Sequence, residues 1–475
     1  MATKIVGLDL GTHTVKLCEL VTTFRNFELV GFDTEVVTSQ NGSLPDAEAI
    51  AAAAKNLLER RELLGETLFC SLPGGRSSTI KLTFPFDQPR KIESVIPFQL
   101  EEMLPLSVDE IIYDYVVTTS AEDGATDVLV AYVRRSEVAE ILTALEGVGI
   151  DPKRLGIGPL TLFGVADAVL ETSADGVEAV LDLGHNFCDL VIREDGRPRT
   201  ARGFWGGGRN ITEALADLFQ VDLNDAERAK LTEASLNAPS EALSSEPPPL
   251  PDALGQPPRE HKVYDACVAA TAPVLKEVRQ TFAAHEAAGG KPVRHLYVTG
   301  GCSKVDGLVH HLEKILGIKV SALDPTQVDF NRLSGVDTRA IPLMAKSLGL
   351  SVQAHGRGDQ SQVNFRRDEF AYTGDFGFLQ GRLIVVGLAL ISMIILGAMS
   401  AITKKRVLEA EHDQLRQKVM KLSSEVLDVE SDDVDLLLAT VVSDKGEAGK
   451  GIPEVSAFRM LADISESMDT DLKID

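Results

Sequence analysis

A duplicated α/β fold with a cleft between its halves, followed by one membrane-spanning helix, is the architecture this sequence predicts. Three observations predict it. Asp9-Leu10-Gly11-Thr12, Asp182-Leu183-Gly184 and Thr299-Gly300-Gly301 each close an apolar, β-rich run, at residues 4–8, 178–181 and 295–298. A strand ending in Gly lets backbone N–H groups approach a phosphate with no Cβ in the way. A carboxylate at the tip of such a strand can hold the accompanying Mg²⁺ through water, a role open to Asp9 and Asp182. The second observation is the order of these turns, two Asp-x-Gly segments and then a Gly-Gly, since any one alone is common strand punctuation. The third is residues 383–402, LIVVGLALISMIILGAMSAI, an uncharged run whose helical length of about 30 Å matches the hydrocarbon thickness of a bilayer.

The turn order is that of an actin-like fold, two ribonuclease H-like halves around a nucleotide cleft. Residues 4–10, 15–22 and 28–37 read as strands and 45–64 as a helix with an Ala-rich face. A segment of different texture runs from about 77 to 150 and is read as an inserted α+β subdomain. Within it, 78–84 is a strand, 91–103 a helix, 111–118 and 127–133 strands, and 137–147 a helix. Helix 159–170 leads to the second Asp-x-Gly strand, where the sheet pattern repeats. Residues 237–258, rich in Ser, Glu and Pro, read as a disordered insertion. Helices at 263–288 and 308–316 flank the Gly-Gly strand, and the actin-like region closes near residue 350.

Residues 351–382 read as a juxtamembrane linker. Beyond the span, Leu415, Val419, Leu422, Val426 and Val429 recur at heptad spacing, which predicts either a coiled coil or a single amphipathic stalk helix over 403–435. An acidic hinge, a helix at 453–468 opened by Pro453 and a strand start at Leu472-Lys473-Ile474 then read as the first part of a small α+β, ferredoxin-like domain from residue 436.

Composition narrows the function. A length of 475 residues with 44% apolar content allows more than one sizeable core. The net charge of −24 argues against a nucleic-acid partner and against basic-patch attraction to lipid. Cys18, Cys70, Cys188, Cys267 and Cys302 are scattered, with no CxxC pair, so neither a zinc site of thiolates nor a disulfide framework is indicated. Reduced, buried thiols are expected. Arg382 precedes the span and Lys404-Lys405-Arg406 follows it, which locally favours a cytoplasmic C-terminal side. Against that stand the five unpaired cysteines and an opening strand without a leader pattern. The expected orientation is therefore a cytoplasmic actin-like domain and a periplasmic C-terminal domain.

Several segments resemble the actin-like proteins of type IV pilus and type II secretion inner-membrane platforms, the PilM and GspL families. Residues 96–105 (IPFQLEEMLP) look like that family's inserted-subdomain helix, followed by Asp114-Tyr115. Arg202 with Gly207-Gly208 and Ile211-Thr212, then Ala226-Glu227-Arg228-Ala229-Lys230, resemble its later signatures, as do Gly300-Gly301-Cys302-Ser303 and residues 341–345 with Leu348-Gly349-Leu350. Residues 363–371 (VNFRRDEFA) look like the juxtamembrane stretch of GspL proteins. The order of domain, span, stalk and small domain is that of GspL, and equally that of PilM fused to PilN.

The resemblance implies a phosphate loop bounded by Asp9, Gly11, Thr12 and Lys16 and a second one by Asp182 and Gly184. It places Glu227 and Lys230 toward the nucleoside, and Gly300, Gly301 and Ser303 on the adenine side of an ATP/Mg site. The second loop departs from the pattern. His185 and Phe187 stand where actin-like ATPases carry small and hydroxyl residues, and would crowd the β- and γ-phosphates. No Glu or Gln is poised to orient an attacking water, so nucleotide binding without efficient hydrolysis is expected. The implied function is a bitopic platform protein that recruits a hexameric secretion-type ATPase and pairs with other inner-membrane platform proteins as a homodimer or heterodimer. Whether it serves secretion or pilus assembly stays open. A kinase of the same superfamily and an actin-class cell-division protein are the competing readings, and neither needs a span followed by a stalk.

Overall fold

The computed structural model describes residues 3–22, 27–38, 44–120, 125–170, 177–239, 259–327, 338–355 and 362–443. The first of its two units, residues 1–375, is built around two five-stranded sheets with matching connectivity. In the first, β1 (Thr3–Leu10), β2 (Thr14–Thr22) and β3 (Phe27–Val36) form an antiparallel meander, then α1 (Ala47–Arg60) crosses to β4 (Thr67–Ser71), which joins β1 in parallel. Asp46 caps α1, its carboxylate accepting from the Ala49 N–H, and the helix buries Ala47, Ile50, Ala51, Ala54, Leu57 and Leu58.

The inserted subdomain follows: β5 (Ser77–Phe84), α2 (Pro89–Met103), β6 (Ile111–Ser120), β7 (Thr126–Arg134) and α3 (Arg135–Gly147). Its sheet, in order β5-β7-β6, packs Leu82, Phe84, Val128 and Val130 against Ile92, Ile96 and Leu100 of α2. The chain returns through β8 (Arg154–Gly156), parallel to β4, which completes the first sheet in order β3-β2-β1-β4-β8. Helix α4 (Gly158–Val169) is buried from Gly158 to Ala166, as its largely apolar sequence requires, and reaches the surface at Asp167 and Ala168.

The second half repeats the plan. Strands β9 (Val177–Leu183), β10 (Phe187–Glu194) and β11 (Arg197–Trp205) form the meander, and α5 (Gly208–Phe219), α6 (Leu223–Glu233) and α7 (Arg259–Ala287) follow. Then β12 (His295–Thr299) joins β9 in parallel and, after α8 (Leu308–Leu316), β13 (Lys319–Ala322) closes the order β11-β10-β9-β12-β13. The two orders superimpose conceptually strand for strand, which is the duplicated, actin-like plan.

Helix α9 (Ala345–His355) packs back on β1 of the first half. It can do so because Gly7 has no side chain: a Cβ there would lie 2.0 Å from the Ser347 carbonyl oxygen. Residues 351–355, expected in a linker, are therefore part of this buried helix. The rest of that expected linker is also partly folded onto the body. Val363 and Phe365 are buried, the Phe365 N–H donates to the Leu155 carbonyl at 2.8 Å, and the Asn364 N–H donates to Asp114 at 2.8 Å.

The second unit, residues 376–475, is described by two helices, α10 (Gly374–Leu427) and α11 (Val434–Ser443). Helix α10 joins the expected span and stalk without a break, since residues 403–427 are rich in Lys, Leu, Glu, Arg and Gln, all strong helix formers. It holds the helix, among the described residues, that is long and apolar enough to cross a membrane, and its most apolar window is 0% buried. Leu415, Leu422 and Val426 of the heptad seam are exposed, whereas Val429 lies past the helix end, beyond Asp428 with φ +53°. The seam is thus one position shorter than its sequence spacing predicts. The helix and strand expected at 453–474 lie outside the described residues, as does most of the insertion expected at 237–258.

Candidate functional site

The β1–β2 turn of the first half and the β9–β10 turn of the second face each other across a cavity of about 500 Å³. Gly11, Thr12, Lys16, Asp182, Gly184, Glu227, Lys230, Gly300 and Gly301 line it, so most of the residues predicted for a nucleotide site come together. Its size falls in the range of small-molecule pockets. Asp9 sits just beneath, buried. Ser303 is turned away, its hydroxyl donating to the Gly300 carbonyl oxygen at 2.6 Å. Gly300 is held at φ +93°, and a Cβ there would lie 2.5 Å from the Leu183 carbonyl and 2.6 Å from Asp182 Oδ1, so Gly alone fits this crossing of β9 and β12.

The floor of the cleft is organised by a residue that sequence reasoning missed. Lys346, on the second residue of α9, puts Nζ 3.0 Å from Asp182 Oδ2, 3.0 Å from Asp189 Oδ2 and 3.7 Å from Asp9 Oδ1. Lys16 adds a second cation, 3.0 Å from Asp9 Oδ2. Three carboxylates and two ammonium groups thus share one site, where side-chain exposure is 12% for Lys346, 3% for Asp9 and 2% for Asp189. Burial pushes the Asp9 carboxyl up, but Lys16 and Lys346 outweigh it and hold the group below its ordinary value. At Asp189 burial prevails over Lys346 and the carboxyl is raised. The Lys346 ammonium, though burial works against it, is held well above its ordinary value by Asp182, Asp9 and Asp189.

The two carboxylates expected to hold Mg²⁺ through water, Asp9 and Asp182, are both paired with lysine in this arrangement. Mg²⁺ demands near-octahedral oxygen ligation and needs those carboxylates open to its water shell. Here both face a lysine ammonium, which supplies the compensating charge itself. The residues do not fit a Mg²⁺ ion. They do fit phosphate: glycine turns, Lys16 and Lys230 line the same cavity.

Above the floor, the two loops grip each other. Asn186 Nδ2 donates to Thr12 Oγ1 at 2.9 Å, and the rings of His13 and His185 stack with centroids 4.0 Å apart. Phe187 lines the cavity and packs on Trp205, with centroids 4.1 Å apart. Burial depresses both imidazoles, His185 to about 3, with His13 and Lys230 adding to the effect. Glu227 accepts from Thr212 Oγ1 at 2.6 Å and from Lys230 Nζ at 2.7 Å. Burial works to raise its carboxyl, and Lys230 beside it prevails and lowers it. The N-terminus of α5 is already engaged, the Gly208 and Arg209 N–H groups donating to the Gly184 and His185 carbonyls at 2.9 and 2.8 Å. All five cysteines are buried and unpaired.

The sequence did carry a sign of Lys346. It is the lone charge in the otherwise apolar or small run of residues 341–350 (IPLMAKSLGL), and a buried lysine requires carboxylate partners. His13 and Asn186 gave no comparable signal, because their partners lie in the other half of the fold.

The chain is similar to several known proteins. Residues 7–242 match the family described as Type IV pilus assembly protein PilM, and residues 179–342 match the cell division protein FtsA family. Among solved structures, a "PilM-PilN type IV pilus biogenesis complex" is similar with a TM-score of 0.62 and 22% identity, covering 74% of this chain and 98% of that one. MreB 5 of Spiroplasma citri bound to AMPPNP is similar at TM-score 0.40 and 12% identity, covering 73% and 94%. The cytoplasmic domain of EpsL, an inner membrane component of the type II secretion system of Vibrio cholerae, follows at TM-score 0.34 and 11% identity, covering 78% and 100%. The fold is actin-like, and the resemblance to PilM-type proteins read from the sequence is matched over residues 7–242.

Proposed function

We propose that this PilM-like chain is a single-span inner-membrane platform protein whose actin-like domain is an adaptor and not an enzyme. The observation that carries the reading is the union, in one chain, of a PilM-type domain with an apolar helix whose most apolar window is 0% buried. The helix crosses the membrane with the actin-like domain in the cytoplasm and the C-terminal segment in the periplasm. The actin-like domain recruits a hexameric ATPase of the secretion or pilus kind and passes its conformational changes to partner platform proteins. The exposed seam of Leu415, Leu422 and Val426 supports pairing of the stalk with a second helix, from a copy or a partner. A type II secretion assignment rests on the order of domain, span, stalk and small domain, and a pilus assignment on the PilM match.

The cleft supports ATP binding without efficient turnover. Phosphates would meet Lys16, Lys230 and the glycine turns, while Lys346 holds the carboxylates that hydrolysis with Mg²⁺ would require. A kinase would need an open catalytic carboxylate, and Asp9, Asp182 and Asp189 each lie 3.0 Å from a lysine ammonium.

The test is affinity purification of the tagged full-length protein from native membranes, with partners identified by mass spectrometry. Recovery of a hexameric ATPase with a polytopic platform protein is expected, and co-purifying pilins or pseudopilins assign the machine. A preparation free of any such motor that phosphorylates a small metabolite would overturn the reading.

A further inference from the structure

His13 on the first loop, His185 on the second and Glu227 on α6 converge at one wall of the cleft. Each offers a ligand atom, and these atoms all lie within 4.8 Å of one another. His185 Nδ1 is 3.9 Å from Glu227 Oε2. Two imidazoles and one carboxylate are the donor set of open, three-ligand zinc sites, whose fourth position is taken by water. Bonds of about 2.0–2.1 Å to a tetrahedral ion would bring the ligand atoms about 1 Å closer together than they stand here. The two rings stack face to face, 18° from parallel, which leaves their in-plane lone pairs side by side, so one imidazole must turn about its Cβ–Cγ bond to aim both nitrogens at a shared ion.

We propose that His13, His185 and Glu227 bind one divalent transition-metal ion of the zinc class, which ties the two halves of the cleft together. The outer partners needed to hold such ligands are in place. Thr212 and Lys230 both bond Glu227 through Oε2 and fix its carboxylate. The site differs from the expected Mg²⁺ position in residues and in chemistry: imidazole selects zinc-class ions, carboxylate and water select Mg²⁺. It also differs from the platform reading in what tests it, because neither ATP nor a partner takes part.

The experiment is a Co²⁺ and Zn²⁺ titration of the full-length protein in detergent, without nucleotide, followed by visible absorption and by competition with a chromophoric chelator. Variants His185→Asn and Glu227→Gln are compared with His295→Gln, a histidine on β12 outside the cluster. Wild type and His295→Gln should bind one equivalent, with ligand-field bands of a nitrogen and oxygen site and no thiolate charge-transfer band. Affinity should fall at least tenfold in His185→Asn and in Glu227→Gln, and about tenfold in Thr212→Val, which loosens Glu227 without removing a ligand. Zn²⁺ should raise the thermal midpoint of wild type and of His295→Gln only. Should a variant fail to fold, the wild-type spectrum decides by itself. Unaltered affinity in both ligand variants, no stoichiometric binding by wild type, or a thiolate band would each overturn the proposal.

Discussion

Replacing Lys346 by Met tests the floor of the cleft. The substitution nearly preserves length and apolar volume but removes the cation that faces Asp182 and Asp189 at 3.0 Å and Asp9 at 3.7 Å. Lys16 then neutralises only one of three buried carboxylates. Breaking a buried ion pair by deleting one partner costs about 3–5 kcal/mol, because the remaining charge is left unpaired in a poorly solvated site. Unfolding entropy of about 2.1 cal/mol/K per residue, taken over roughly 350 residues, converts this to a fall of about 4–7 °C in the thermal midpoint. Differential scanning calorimetry of the full-length protein is the assay. The double variant Lys346→Met with Asp189→Asn should recover part of the loss, since it removes one of the stranded charges. A midpoint within about 1 °C of wild type for Lys346→Met alone would refute the argument, because it would mean that the cluster is solvated and its lysine dispensable.

Further outcomes follow from the same geometry. The Asp9 carboxyl is held below its ordinary value in the folded state. Its contribution is therefore complete above the unfolded carboxylate range and is lost as pH falls through the folded value. Urea midpoints of wild type should drop in acid, and Asp9→Asn should flatten that slope; parallel slopes would contradict it. Lys346 works with the opposite sign, its stabilisation present at neutral pH and lost only in strong alkali. Gly7→Ala should destabilise by about 1–3 kcal/mol in denaturant titrations, since its Cβ would meet the Ser347 carbonyl of α9 at 2.0 Å; a neutral result would show that α9 can slide. Lys230→Ala should weaken ATP binding about tenfold in calorimetry, the value of one charge-assisted contact to phosphate, and an unchanged affinity would move phosphate away from α6.

Much of the fold is written locally. Strands β1, β9 and β12 announce themselves as apolar runs that stop at Gly, and the repeat of that signal implies the duplication before any sheet is seen. The inserted subdomain is similarly plain, because β5, α2, β6 and β7 each carry the periodicity of their own structure. What escaped is what depends on distance. Lys346 meets Asp9, Asp182 and Asp189 only because α9 packs on β1, and no spacing in the sequence records that approach. The His13–His185 stack joins loops from opposite halves for the same reason. The continuity of α10 escaped for a different one: a change from apolar to charged residues at Lys404 looks like a boundary, while the helix backbone, bonded within itself, runs through without regard to solvent.

The most direct test of the account is equilibrium binding of ATP to the purified full-length protein, with and without Mg²⁺, alongside phosphate release. Binding should be saturable with an affinity insensitive to Mg²⁺, and no sustained release of phosphate should follow, because Lys346 occupies the carboxylates a metal would use. Mg²⁺-dependent binding coupled to steady turnover would contradict it and return the cleft to the ATPases or kinases of the fold.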